Sequence, residues 1–119
     1  MSRVTNAPAS RERRRRRLEL AKGFRGSRSK LFRQATEAVD RAQRLATGHR
    51  KDRKREFRAL WITRINAATR SEGMTYSRFM EGLIKAGIAV NRKMLSEIAI
   101  ADAEGFKALV EKARAALVV

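Results

Sequence analysis

The run Arg13-Arg14-Arg15-Arg16-Arg17 limits what this chain can fold into more than any other feature of it. Five adjacent side chains on a helix point to every side, so the run leaves no face for a protein core. Their charges repel at this spacing, and the segment is expected to be largely unfolded in free solution and to order against phosphate. The rest of the chain deepens the demand. Across 119 residues, 29 Lys and Arg stand against 12 Asp and Glu, a formal charge of +17. That excess does not fit a self-sufficient compact enzyme; it calls for a polyanion.

The kind of basic residue narrows the polyanion. Twenty-one are Arg and 8 are Lys. Arg grips phosphate with a planar fork and stacks on exposed bases, whereas Lys is a point charge. The bias favours structured nucleic acid, and RNA over DNA. The charge is also lopsided, +14 over residues 1–60 and +3 over 61–119. The first half reads as an electrostatic grip, the second as a nearly ordinary folding unit.

Helical signals run through the chain, and no strand-like alternation appears. The expected fold is all-α: a basic extended or helical arm and a long helix leading into a small helical domain. Residues 1–9, with the only proline, Pro8, read as an extended arm. Ser10 is the expected cap of a helix over 11–22 that stops at Gly23. A long helix is expected from near Ser29 to Glu72, roughly 65 Å if unbroken, with a weak point at Gly48. Its thin first stripe is Leu31, Ala35, Ala38, Val39, Ala42, Leu45 and Ala46. From residue 57 a firmer apolar face follows: Phe57, Leu60, Trp61, Ile65 and Ala68. Three short helices should pack on it, capped by Thr75, Asn91 and Asp102 and carrying Tyr76, Phe79, Met80, Leu83 and Ile84, then Met94, Leu95, Ile98 and Ala99, then Phe106, Leu109, Val110, Ala113 and Leu117. The expected division is a basic extension over 1–58 and a small globular domain over 59–119.

Catalytic and metal chemistry find little to work with. There is no cysteine, and His49 is the sole histidine, so a thiol nucleophile and a thiolate zinc site are excluded and no cofactor or metal is expected. Asp40, Asp52, Glu56 and Glu72 lie among arginines at helical spacing and read as local charge balance. No uncharged stretch approaches the ~20 residues that span a bilayer, and the N-terminus has no apolar signal region. A cytosol-like compartment is the default. Phe57 and Trp61 read as core anchors. Phe24, between two glycines among arginines, is a candidate to stack on or wedge between RNA bases.

The residues from Arg53-Lys54-Arg55-Glu56-Phe57-Arg58-Ala59-Leu60-Trp61 to Ala68 closely resemble the signature of the bacterial-type large-subunit ribosomal protein family numbered twenty. Ala21-Lys22-Gly23-Phe24-Arg25-Gly26-Ser27-Arg28, Tyr76-Ser77-Arg78-Phe79-Met80-Glu81-Gly82-Leu83 and Arg92-Lys93-Met94-Leu95 resemble it in order and spacing. The family usually carries more basic residues where this chain has Thr5-Asn6-Ala7-Pro8, and an aromatic and basic stretch where it has Thr47-Gly48-His49. The resemblance implies a basic extension threaded into large-subunit rRNA, a helical C-terminal domain and a role in early subunit assembly. It implies no enzymatic activity. It also implies, for some members, a C-terminal domain that binds messenger RNA of its own operon and represses translation.

The expected RNA contacts begin with Arg3, Arg11, Arg13 to Arg17, Lys22, Phe24, Arg25 and Arg28. They continue along the long helix with Arg50, Lys51, Arg53, Lys54, Arg55 and Arg58. Arg64, Arg70, Arg92 and Lys93 are weaker candidates from the domain. Expected partners are large-subunit rRNA, neighbouring large-subunit proteins and own-operon messenger RNA, with no membrane and no homo-oligomer. Bacterial and organellar ribosomes both stay open. Two other classes stand beside this reading: a chromatin-like protein compacting duplex DNA, and a basic helix on a membrane surface or protein partner. The arginines ringing 13–17 leave the membrane helix no apolar face to insert.

Overall fold

The structure, a computed structural model, describes residue 3 and residues 5–118. Six helices and no strand occur among them: α1 (Ala7–Leu20), α2 (Ser27–Lys30), α3 (Phe32–Ser71), α4 (Tyr76–Lys85), α5 (Arg92–Ala101) and α6 (Ala103–Leu117). The all-α expectation holds. The chain divides into two compact units that meet between Lys51 and Asp52, within α3.

In the first unit the helices begin earlier and break differently than the sequence predicts. The arm expected over 1–9 falls partly on residues 1, 2 and 4, outside the described residues; Ala7 to Ala9 are already helical. Asn6, not Ser10, stands at the N-cap of α1, and the Ser10 N–H donates to the Asn6 carbonyl at 3.0 Å. Pro8 fits there because the first helical positions have no use for its missing N–H. The turn after α1 is closed by Gly23 at φ +86°, in the left-handed region that glycine enters freely. The long helix does not run from Ser29. α2 ends at Lys30, Leu31 is extended (φ −85°, ψ 120°), and α3 starts at Phe32 with the Ala35 N–H on the Leu31 carbonyl at 2.8 Å.

The expectation of an arm without any core needs correction. No residue of α1 is buried, but Ala21 just beyond it is, together with Ala35 and Val39 of α3. Leu18 and Phe24 pack against these three. Small side chains let the backbones come close, so a stripe too thin for a deep core still docks the turn after α1 onto α3. The five arginines do ring their helix; the apolar contact simply begins one residue after them.

α3 continues through Gly48 without a break. A Cβ at Gly48 would meet open space, so no packing contact inside this chain calls for a glycine there. α3 stops before Gly73, whose φ is +73°.

The second unit follows the predicted pattern, except that Ile84 and Met94 from the expected apolar sets are 75% and 52% exposed. Phe79 and Leu83 from α4, Leu95 from α5, Phe106, Val110 and Ala113 from α6 and Ile65 from α3 form one buried cluster. Phe79 and Phe106 meet with ring centroids 5.4 Å apart. The Asn91 side chain accepts from the Met94 N–H and the Asp102 side chain from the Gly105 N–H, both at 2.9 Å. These are the N-cap bonds the sequence predicts. Thr75 holds the N-cap position of α4 in extended conformation but makes no side-chain cap bond. The Arg114 guanidinium donates to the Glu72 carbonyl at 2.7 Å and closes the C-terminal end of α3. Gly82 sits in close contact between α4 and α6: a Cβ there would lie 2.8 Å from the Ala113 carbonyl carbon.

Another expectation fails in this unit. Of the apolar face from Phe57 to Ala68, only Ile65 and Ala68 reach the core. Phe57 is 43% and Leu60 41% exposed, and Trp61 is half-buried outside the cluster. The apolar face of α3 outruns the short helices that cover it.

Candidate nucleic-acid interface

Along α1 the guanidinium groups are displayed rather than packed. Arg11 and Arg13 to Arg16 are exposed and Arg17 is half-buried. Arg15 pairs with Glu19 and Arg16 with Glu12, each at 3.0 Å and one helical turn apart. Such exposed pairs contribute little stability and give way readily to phosphate. Arg17 reaches Asp40 on α3, and the Arg14 guanidinium lies 5.3 Å from the Phe32 ring centroid. These two contacts tie α1 to α3 from charged side chains, as the Ala21 cluster does from apolar ones. Arg11, Arg14, Arg15 and Lys22 line one open depression beside Leu18 and Glu19. Arg11, Arg15 and Arg16 line a second with Pro8 and Glu12.

The turn carries the next group. Arg25, between Gly23 and Gly26, is exposed, as is Arg28. Phe24 is half-buried against Ala21, Ala35 and Val39, so it belongs to an apolar cluster that its neighbours in sequence do not reveal. Arg28 lies 5.8 Å from its ring centroid. Arg3 is exposed at the start of the chain.

Within the first unit, α3 adds residues that sequence reasoning passed over. Arg33, Arg41 and Arg44 are exposed and lie with Lys51 at successive intervals of 8, 3 and 7 residues, which puts them on one face of the helix. The signal was this spacing; the dense runs at 13–17 and 50–58 drew attention from it. Arg50 donates to the Thr47 hydroxyl at 3.3 Å, and that hydroxyl donates to the Gln43 carbonyl.

In the second unit Arg53, Lys54, Arg55 and Arg58 are all exposed on α3. Arg55 approaches Asp52 at 3.5 Å, and Arg53 lies 5.3 Å from the Phe57 centroid. Arg64 and Lys93 are exposed. Arg70 donates to the Asn66 side chain at 3.3 Å, while Arg92 is half-buried and donates to the Tyr76 hydroxyl at 2.7 Å. Those two guanidinium groups serve the unit's own structure with part of their donor set. On α4, hydrogen bonds from Lys85 and then Arg78 hold the Glu81 carboxyl below its ordinary pKa of 4.5.

The arrangement offers many cationic donors on exposed helical surface. Among the described residues no three of His, Asp and Glu come together in a group that would hold a metal ion. Nor, among the described residues, is any helix long and apolar enough to cross a membrane.

Comparison with known proteins follows the same line. The family profile described as Ribosomal protein L20 matches residues 3–109. A protein named Large ribosomal subunit protein bL20 from Methylacidiphilum infernorum is 60% identical over 114 residues, covering 96% of this chain and 95% of its own length. Proteins of the same name from Opitutus terrae and Syntrophotalea carbinolica are each 56% identical over 117 residues. They cover 98% of this chain, and 92% and 99% of their own lengths. With the profile running through the arm, the long helix and most of the second unit, the chain belongs to the ribosomal protein L20 family.

Proposed function

We propose that this chain is a structural, non-enzymatic component of the large ribosomal subunit that binds large-subunit rRNA directly and acts early in assembly of the particle. What carries the reading is the display of arginine on α1 and along α3. Arg11 and Arg13 to Arg16 are exposed around one helix, and Arg33, Arg41, Arg44 and Lys51 follow one face of the next. Converging rRNA segments repel one another through their phosphates, and a cationic helix between them lowers the cost of bringing them together. In this account the extension over 1–58 neutralises phosphate, while the domain over 59–119 holds position through a smaller surface. Charge supplies most of the affinity and the shape of folded RNA supplies the selection. Neighbouring large-subunit proteins and the messenger RNA of its own operon complete the partner set, the latter through the second unit. The ribosome concerned is that of the bacterial cytoplasm, in keeping with the bacterial sources of its relatives.

The test is competition at moderate salt between a folded large-subunit rRNA fragment and duplex DNA of equal phosphate count. The rRNA fragment is expected to displace DNA at least tenfold below the concentration at which DNA displaces rRNA. Equal displacement points instead to a chromatin-like protein that compacts duplex DNA.

A further inference from the structure

The apolar face of α3 that the short helices leave uncovered lies in the middle of a cationic surface. Phe57, Leu60 and Trp61 stand at i, i+3 and i+4, so they share one side of the helix. Phe57 and Leu60 are 43% and 41% exposed. The chain has seven aromatic residues, and the second unit packs Phe79, Phe106 and Tyr76 in or against its core. Phe57 and Trp61 are held apart from that core, their ring centroids 6.3 Å apart and their planes tilted by 52°.

The surroundings say what fits there. Arg53 and Arg64 lie four residues before and seven after Phe57, on the same side of the helix, and Lys54 flanks them. None of the three makes an ion pair among the described residues, and all are exposed. The Arg53 guanidinium already lies over the Phe57 ring, 5.3 Å from its centroid, so the ring holds a flat cation before any ligand arrives. An apolar centre with a mainly cationic rim, in which Glu56 one turn before Leu60 is the one carboxylate, matches a nucleobase with its flanking phosphates. A base inside an A-form duplex is stacked on its neighbours and closed off in a deep groove; an unpaired base exposes its flat surface.

We propose that Phe57 and Trp61 form a stacking platform for an unpaired RNA base, with Arg53, Lys54 and Arg64 on the adjoining phosphates. The proposal rests on the RNA-binding reading above and adds what part of the RNA this face takes. It also accounts for the exposed Phe57 ring, beside a half-buried Trp61, on a surface otherwise given over to charge.

Trp61 is the only tryptophan, so its emission reports on this face alone. The full chain is titrated with a labelled RNA hairpin bearing an unpaired loop and with a fully paired RNA of equal length, binding being followed separately by anisotropy. The loop RNA is expected to quench Trp61 at saturation and the paired RNA to bind without quenching. Phe57→Ala is expected to weaken loop binding by roughly five- to hundredfold, the range of one stacked base, and paired RNA by less than twofold. Phe57→Tyr restores loop binding. Because Phe57 lies outside the buried core, these variants keep the fold, and an unchanged thermal melt confirms it. Binding of both RNAs with unchanged Trp61 emission overturns the platform and leaves the RNA-binding reading intact. Binding of neither RNA overturns both. An emission change with poly-glutamate but not with loop RNA assigns the face to an acidic protein and overturns the proposal.

Discussion

Replacing Arg13, Arg14, Arg15, Arg16 and Arg17 together by Gln is expected to flatten the salt dependence of RNA binding by about three to five units of log–log slope. The expectation follows from counterion release. Each phosphate neutralised contributes roughly 0.7 units on single strands and 0.9 on duplex, and the run offers five guanidinium groups. Gln and Arg have similar helix propensity, so α1 keeps its local preference. The structure adds a distinction within the five. Arg15 and Arg16 are tied only to Glu19 and Glu12 at exposed positions, and their replacement removes charge alone. Arg17 also holds Asp40, so Arg17→Gln by itself loosens the attachment of α1 to α3. The core built on Phe79, Leu83 and Phe106 lies in the second unit and should melt as before. A salt slope unchanged in the fivefold variant contradicts the role given to α1.

Gly82→Ala is expected to damage the second unit more than any other single-methyl change. Alanine ordinarily favours a helix over glycine by about 1 kcal/mol. Here the added carbon would lie 2.8 Å from both the carbonyl carbon and the Cβ of Ala113. Backbone cannot swing aside as a long side chain can, so α4 and α6 must separate and the Phe79–Phe106 contact opens with them. Overpacking of this kind costs about 1–3 kcal/mol. For a unit of this size that corresponds to a fall in Tm of roughly 7–20 °C, and the stability of so small a unit is only a few times larger. The control is Gly48→Ala. Its Cβ meets open space on a continuous helix, and the variant should melt at the same temperature or slightly higher. If both glycines respond alike, the effect comes from helix propensity and not from the close approach of α4 and α6.

The second unit was legible in the sequence because its determinants are local. Asn91 and Asp102 carry their cap bonds on their own side chains, and the spacing of Phe79, Leu83, Leu95, Phe106 and Val110 states which face goes inward. The first unit was less legible because its determinants are distant or small. The Arg17–Asp40 contact joins residues 23 apart. The break at Leu31 has no glycine or proline to announce it, and it precedes the turns of α3 that pack Ala35 and Val39 with Ala21. Phe24 stands among arginines and glycines, and its apolar neighbours are supplied from α3. Phe57 and Trp61 show a further gap. Periodicity identifies the apolar side of a helix but not how many of its turns the neighbouring helices cover. On the side of function, density misled: the clusters at 13–17 and 50–58 are evident, whereas Arg33, Arg41 and Arg44 form a line only once α3 is known to be continuous.

The most direct test of direct rRNA binding in the large subunit is sedimentation of the tagged protein from a lysate, with and without a high-salt wash. Charge alone is weakened steeply by salt, whereas helices enclosed by folded rRNA are retained. The account predicts that the protein runs with the large particle and stays there after the wash. It also predicts release of the protein when the rRNA is digested. A protein that leaves the particle in the wash, or that sediments with DNA and is freed by DNase, contradicts it.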